Sequence, residues 1–253
     1  SGNDVLSRQI EESIEQEGVE LIREEYEGHS DVSLIFNFDT DRTIFSHHER
    51  IDHSFTYSND QEINYIYLTS IGREWTEAYA RVLEFAKSRN IPVAFSPGSQ
   101  QMKDMSEPFD NTVAQSRMLL MNKEEAQAIL DHFGMEENIM ENILRKMKSW
   151  GAHVVSITDG KNGAYAIDGF DKMYKIEPLP VDGHDKTGAG DSYAAGFMAG
   201  ILLGKETPEA MKWGMLDAFS VMSKHGAQPG LLTQDNLNML LSKYTDLKVE
   251  TLD

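Results

Sequence analysis

The chain has 253 residues, 40% of them apolar, no cysteine and a formal charge of −19. That length suits one large domain, or a domain with a small appendage, and the apolar share is enough for a sizeable core. Disulfides and thiolate metal sites are excluded, the acidity argues against nucleic acid and anionic membranes as partners, and no apolar run approaches the roughly 18 to 20 residues that span a bilayer.

No charged-then-apolar leader is visible, so the expectation is a cytoplasmic protein. An acidic protein still binds a nucleotide where magnesium and backbone N–H groups supply the positive potential. In chain order, residues 5–27 begin as an amphipathic helix, with Leu6, Ile10 and Ile14 four apart and Gly18 at its end. "SLIFNFDTDRTIFSH" reads as a hairpin around Asp39-Thr40-Asp41, and "SFTYS" suggests another strand. "INYIYLTS" (63–70) is a buried strand by its β-branched and aromatic content, 73–90 a helix, and "IPVAFSPG" (91–98) a strand that ends in a Pro-Gly turn. Residues 116–122 form a strand, 123–133 and 137–150 helices, and 153–160 a strand followed by the hairpin "GAYAID"/"KMYKIE". Helices follow at 189–203, 207–225 and 234–242. Strands alternating with helices imply an α/β fold with an open parallel sheet covered on both faces. Ligands of such sheets bind at the carboxyl ends of the strands.

One stretch concentrates the chemistry: "DKTGAGDSYAAGF", 185–197. Gly188 and Gly190 let the backbone turn without a Cβ penalty. A helix beginning near Ala189 presents N–H groups with no internal partner, and with the helix dipole these form an anion site. Asp191 in the first turn would repel a merely bound anion. It makes sense as the acceptor of a proton from a hydroxyl that attacks a phosphoryl group. Two rival motifs fail on spacing. A dinucleotide fingerprint needs a small residue where Tyr193 stands, and a Walker loop needs Gly-Lys-Ser/Thr where Ala189 follows Gly188. A bare "GAGD" is most often an ordinary acidic helix start.

The longer string resembles the Asp-Thr-Thr-Gly-Ala-Gly-Asp motif of the ribokinase-like carbohydrate kinases, the phosphofructokinase B family. Other segments match in order over nearly the whole chain. "GNDVLSRQIEESIEQEGVE" is similar to the family's Gly-Asp-Asp segment, "MNKEEAQAI" to its Asn-x-x-Glu motif, "VVSITDGKNGAYAID" to its nucleotide loop and hairpin, and "SKHGAQPGL" to the Gly-Ala turn near its adenine pocket. The resemblance implies a doubly wound, mostly parallel sheet with helices on both faces, formed by residues 1–30 and 59–253, and a small β lid at 31–58.

It implies an ATP-dependent kinase that phosphorylates a sugar or sugar-phosphate hydroxyl. Asp191 would be the catalytic base, and the N–H groups of Gly188, Ala189 and Gly190 the anion hole. Asn122 and Glu125 would hold magnesium through water; hard oxygen ligands suit that ion. Read locally, the same pair is a helix N-cap with a capping box, and the two readings are compatible. Thr158, Asp159, Gly160 and Gly226 would line the nucleotide. Asp185 and Thr187 match positions that bind a monovalent cation, potassium, in some relatives, or Asp185 simply orients the loop. Thr69 and Ser70, ending a central strand, are substrate-side candidates. The lid would exclude water and in several relatives pairs two subunits, so a homodimer is expected. His47, His48 and His53 lack helical metal-ligand spacing and read as a solvated lid edge.

The sequence departs from the family pattern in three places. It opens at "SGND", where relatives carry a strand, a Gly-Gly turn and an asparagine beforehand. Ser96 stands where relatives often have Asp or Asn, and Lys186 replaces the motif's first Thr. A nucleoside kinase on the same scaffold and a non-catalytic nucleotide- or sugar-binding protein stay open as alternatives.

Overall fold

In the computed structural model, alternating strands and helices build one seven-stranded sheet and a separate two-stranded hairpin. The structure describes residues 2–23, 26–38, 41–47, 49, 53, 55, 62–181 and 186–252. The turn residues Asp39 and Thr40, His48, Asp185 and most of the "SFTYS" strand therefore lie outside the described residues.

The elements in order are α1 Val5–Gln16, β1 Val32–Phe38, β2 Asp41–His47, β3 Ile66–Leu68, α2 Thr76–Arg89, β4 Val93–Phe95, α3 Ser99–Lys103, α4 Glu107–Gln115 and β5 Met118–Asn122. They continue with α5 Lys123–His132, α6 Met140–Ser149, β6 Val154–Thr158, β7 Ala164–Ile167, β8 Met173–Ile176, α7 Ala189–Leu202, α8 Thr207–Met222, α9 Gln234–Lys243 and β9 Val249–Leu252. Three elements go beyond the sequence reading: α3, α4 and the edge strand β9. The first strand of the large sheet is also shorter than the expected 63–70, because only Ile66–Leu68 pairs with its neighbour.

The strands follow chain order across the sheet, β3 to β9. β3, β4, β5 and β6 run parallel, and β7, β8 and β9 are added by antiparallel pairing, so five of the seven strands point one way. A sheet that grows in one direction through same-handed crossovers places its connecting helices on one face. α2, α4, α5 and α6 accordingly pack there, around an edge-to-face chain of Trp75, Tyr79, Phe95 and Phe109. The opposite face is covered by the C-terminal helices α7, α8 and α9. Period-2 alternation sorts each strand between the two clusters. Leu68, Phe95, Leu119 and Val155 serve the first, and Ala94, Met118, Leu120 and Val154 the second.

α7 and α8 approach closely because glycines line their contact. A Cβ on Gly214 would lie 2.6 Å from the Tyr193 carbonyl oxygen, and one on Gly200 2.8 Å from Ala210 Cα. This crossing fixes α7, whose first turn carries Asp191, against the sheet. A buried hydrogen bond between Tyr193 Oη and Ser156 Oγ, 2.9 Å, ties α7 to β6 as well.

Asp4 caps α1, accepting from Ser7 N–H at 2.9 Å, and it also accepts from Ser30 N–H at 2.7 Å. The backbone bonds from Ser30 and Ser7 hold its carboxyl down to about 2. The expected apolar stripe of α1 is only partly packed: Leu6 and Ile10 are exposed, Ile14 is half-buried, and Ser7 is the helix's buried residue. The hairpin β1–β2 pairs Leu34 with Phe45 and Phe36 with Thr43, and Phe36 meets Phe45 edge-on at 5.8 Å. Among the described residues, no helix is long and apolar enough to cross a membrane.

Candidate active site

The carboxyl ends of the four parallel strands present one polar residue each on the side that α7 covers. Thr69 and Ser96 directly follow β3 and β4, and Asn122 and Thr158 close β5 and β6. Alternation sets their side. Tyr67, Ala94, Leu120 and Ser156, two residues back in each strand, face α7 and α8. Apolar residues fill these positions within the sheet and polar ones take over at its rim, where a ligand would sit.

Asn122 caps α5. Its Oδ1 accepts from Glu125 N–H at 2.8 Å, and Glu125 Oε2 accepts from Asn122 N–H at 2.9 Å. Both halves of the capping box are therefore present, and they fix the Glu125 carboxylate beside the end of β5. Burial raises the Glu125 carboxyl, the Asn122 bonds oppose it, and the Glu124 and Asp191 charges add to the rise. Asn122 pairs in register with Thr158, so the metal and nucleotide candidates share one rim. The Thr158–Gly160 loop is tethered to the same place. Lys123 Nζ reaches Asp159 Oδ2 at 3.2 Å, and Asn162 Nδ2 donates to that oxygen at 3.1 Å. Gly160 takes φ +49, a left-handed turn that favours glycine.

Above this rim stands the N-terminus of α7. Gly188 is its N-cap at φ +81. The first intrahelical bond runs from Ser192 N–H to Gly188 C=O at 2.9 Å, and Ser192 Oγ donates to the same carbonyl at 2.8 Å. Ala189, Gly190 and Asp191 thus precede the intrahelical ladder, although Ala189 N–H already donates to Lys186 C=O at 3.2 Å. A Cβ on Gly190 would meet open space, whereas one on Gly188 would lie 2.8 Å from Ala227 Cβ. The turn at Gly226, itself at φ +91, therefore packs directly on the anion-hole candidate. Asp191 is exposed. Its charge adds to the rise of both the Glu125 carboxyl and the Tyr67 phenol. Thr187 is half-buried in the same turn, and Lys186 is exposed.

On the substrate side, Ser70 fits tightly under the turn that follows β4. A Cβ on Gly98 would lie 2.2 Å from Ser70 Oγ and 2.7 Å from Gln101 Oε1. Gln101 is fully buried. Its Nε2 donates to Ile71 C=O at 3.1 Å, and its Oε1 has no hydrogen-bond partner among the described residues. The Thr69 carbonyl accepts from Tyr79 Oη at 2.6 Å. His53, from the segment after the hairpin, lies against the next loop, its Nε2 3.2 Å from where a Gly72 Cβ would be. Sequence reasoning singled out neither Tyr67 nor Gln101 and credited Ser96 with no role. The period-2 position of Tyr67 relative to Thr69 was the available signal; Ser96 joins them only through the register of β3 with β4.

The donor set suits an ion that arrives with polyphosphate. No group of three metal-ligating side chains exists among the described residues, and magnesium characteristically keeps its waters and takes one or two protein oxygens. The oxygens of Asn122 and Glu125 meet that description.

Comparison with known proteins agrees with this layout. The model of the "pfkB family carbohydrate kinase" matches residues 1–234. The 5-dehydro-2-deoxygluconokinases of Geobacillus thermodenitrificans and Bacillus subtilis are 27% and 26% identical over 169 and 170 residues, each match covering 65% of this chain. It covers 50% and 51% of theirs, so the chain spans about half the length of the curated relatives it matches. Among solved structures, a ribokinase from Thermotoga maritima superposes with a TM-score of 0.78 at 20% identity, over 95% of this chain and 79% of the other. A nucleoside kinase from Methanocaldococcus jannaschii gives 0.74 at 21%, over 96% and 79%. A fructokinase from Vibrio cholerae, solved with fructose, ADP and calcium, gives 0.75 at 18%, over 95% and 83%. With its rim of strand-end polar groups, its glycine-capped α7 and a family match over 234 residues, this chain belongs to the pfkB family of carbohydrate kinases.

Proposed function

We propose that this site transfers the γ-phosphoryl group of ATP to a hydroxyl of a sugar or sugar phosphate. The observation that carries the reading is the placement of Asp191. It sits in the first turn of a helix whose cap is a left-handed glycine, and its charge adds to the rise of the Glu125 carboxyl. A carboxylate there has a use when it takes a proton as the acceptor oxygen attacks.

Each residue then has a task. The N–H groups at the start of α7, with the helix dipole, stabilise the negative charge of the transferring group. Asp191 orients the acceptor hydroxyl in line and accepts its proton. Asn122 and Glu125 hold magnesium through its water, and the ion, when bound, offsets the charge of the polyphosphate. Thr158, Asp159, Gly160 and the Gly226 turn line the nucleotide. Thr187, with Asp185, supplies oxygens for a potassium ion beside the anion hole. Thr69 and Ser70 face the acceptor. The 31–58 segment is the lid that excludes water; the contact of His53 with the Gly72 loop supports closure over the substrate side. Two copies pair through it, and the enzyme works in the cytoplasm.

The test is ADP release from magnesium-ATP with a panel of sugars, sugar acids and nucleosides. The name of the matched relatives puts 5-dehydro-2-deoxygluconate first on that panel. Nucleosides belong on it because a nucleoside kinase shares the fold. Turnover with a sugar supports the reading. Turnover with nucleosides alone moves the substrate class, and nucleotide binding without turnover points to a non-catalytic relative.

A further inference from the structure

One polar side chain on the α7 side of the sheet has no task in this mechanism. Tyr67 lies in β3, two residues before Thr69, so both side chains project from the same face. β3 and β4 pair Leu68 with Phe95, and Ser96 N–H donates to Leu68 C=O at 3.0 Å, which sets Ser96 beside Thr69. The Tyr67 ring packs against the second core cluster. Its hydroxyl shares hydrogen bonds with the side chains of Ser96 and Thr69 and feels the charges of Asp191 and Glu125. A buried phenol takes a polar partner whatever its role, as Tyr193 does with Ser156; what sets Tyr67 apart is that its partners are the rim hydroxyls at the carboxyl ends of β3 and β4. It ends where the substrate-side hydroxyls meet the catalytic carboxylate.

We propose that Tyr67 is a positioning residue for the acceptor substrate: it fixes the Thr69 and Ser96 hydroxyls and turns its own O–H toward the acceptor beside Asp191. This rests on the kinase reading. Three neutral hydroxyls on one face suit a polyol, whose hydroxyls both donate and accept. Each of the three hydroxyls can both donate and accept, so the phenol keeps a proton that can be turned to the acceptor. Burial holds the phenol above the usual tyrosine range, and the Asp191 and Glu125 charges add to this, so that proton stays in place. Tyr67 is therefore a neutral donor and not a second base.

The experiment compares Tyr67→Phe, Ser96→Ala and the double variant with the unaltered protein, using the acceptor that the panel identifies. Tyr67→Phe keeps the ring and removes one oxygen, so the fold is retained. The expected result is a roughly tenfold fall in kcat/KM for the acceptor, mostly in KM, with KM for ATP within about twofold. Because the hydroxyls act as one set, the double variant falls little below the worse single variant. Unchanged acceptor kinetics in Tyr67→Phe overturn the proposal and leave the kinase reading standing. So do equal losses for ATP and acceptor accompanied by a lower Tm, which would mark a packing role. An unaltered protein that turns over no acceptor on the panel overturns both.

Discussion

Glu125 is asked to do two things at once. Its carboxylate closes a capping box on Asn122, and it is also the candidate outer ligand of magnesium. The two roles separate in Glu125→Gln. A glutamine at the third helical position still accepts from the cap N–H, so Tm should stay within a degree or two. The magnesium concentration for half-maximal turnover should rise about 10-fold or more, the usual scale for outer-shell partners. A magnesium titration at fixed ATP, run beside a thermal melt, checks both; an unchanged magnesium requirement with a lower Tm would leave only the cap. At this scale legibility followed chain distance. Gly188 and Asp191 declare themselves within one short string, and Asn122 and Glu125 within another. Tyr67 and Ser96 come together only through the register of β3 with β4, which no local spacing contains.

The α7–α8 pair shows how an element far from the chemistry positions it. Gly214→Ala would push a methyl to 2.6 Å from the Tyr193 carbonyl oxygen, which is backbone and cannot swing away. Overpacking of this kind costs about 2 kcal/mol, measurable by urea unfolding, and turnover should fall with it because α7 carries Asp191. Gly190→Ala is the contrast: its Cβ meets no atom within 4 Å, so stability should hold, while the proposed anion hole requires ATP affinity to drop. Titration calorimetry and melts on the two variants distinguish a packing glycine from a ligand glycine.

α8 also carries Asp217, whose Oδ1 accepts from Leu232 N–H at 3.0 Å and so pins the loop that contains Gly226. Burial pushes this carboxyl up to about 6, and the Leu232 bond opposes the rise. The folded protein therefore binds the proton more tightly than the unfolded chain does. The resulting stabilisation is complete below about pH 4 and is lost as the pH rises through about 6. Asp217→Asn, neutral and still able to accept from Leu232, should raise Tm by a few degrees at pH 8 and converge with the unaltered protein near pH 4. A pH series of melts reads this, and a constant difference across the series would contradict it. Element type was largely legible in the sequence because the strands are apolar runs and the long helices keep their period. α3 and α4 were not, since five and nine residues are too few for a period to declare itself.

Across the whole molecule, the account rests on a division of labour between two faces of one sheet. Four crossover helices bury the first face. The C-terminal helices cover the second and bring the start of α7 over the polar ends of β3 to β6. The sequence could be read that far because alternation and the 185–197 string agree. How β7 to β9 complete the sheet was less visible, since antiparallel addition at an edge depends on tertiary pairing and not on composition. A charge of −19 makes the same point about the ligand: an acidic chain takes up a polyphosphate only where backbone donors and a cation are supplied locally. The most direct measurement compares ADP release by the unaltered protein and by Asp191→Asn, with magnesium-ATP and the best acceptor of the panel, beside nucleotide affinity for both. The account predicts a loss of about 10³-fold in kcat with nucleotide affinity unchanged. Turnover that survives in Asp191→Asn would contradict it.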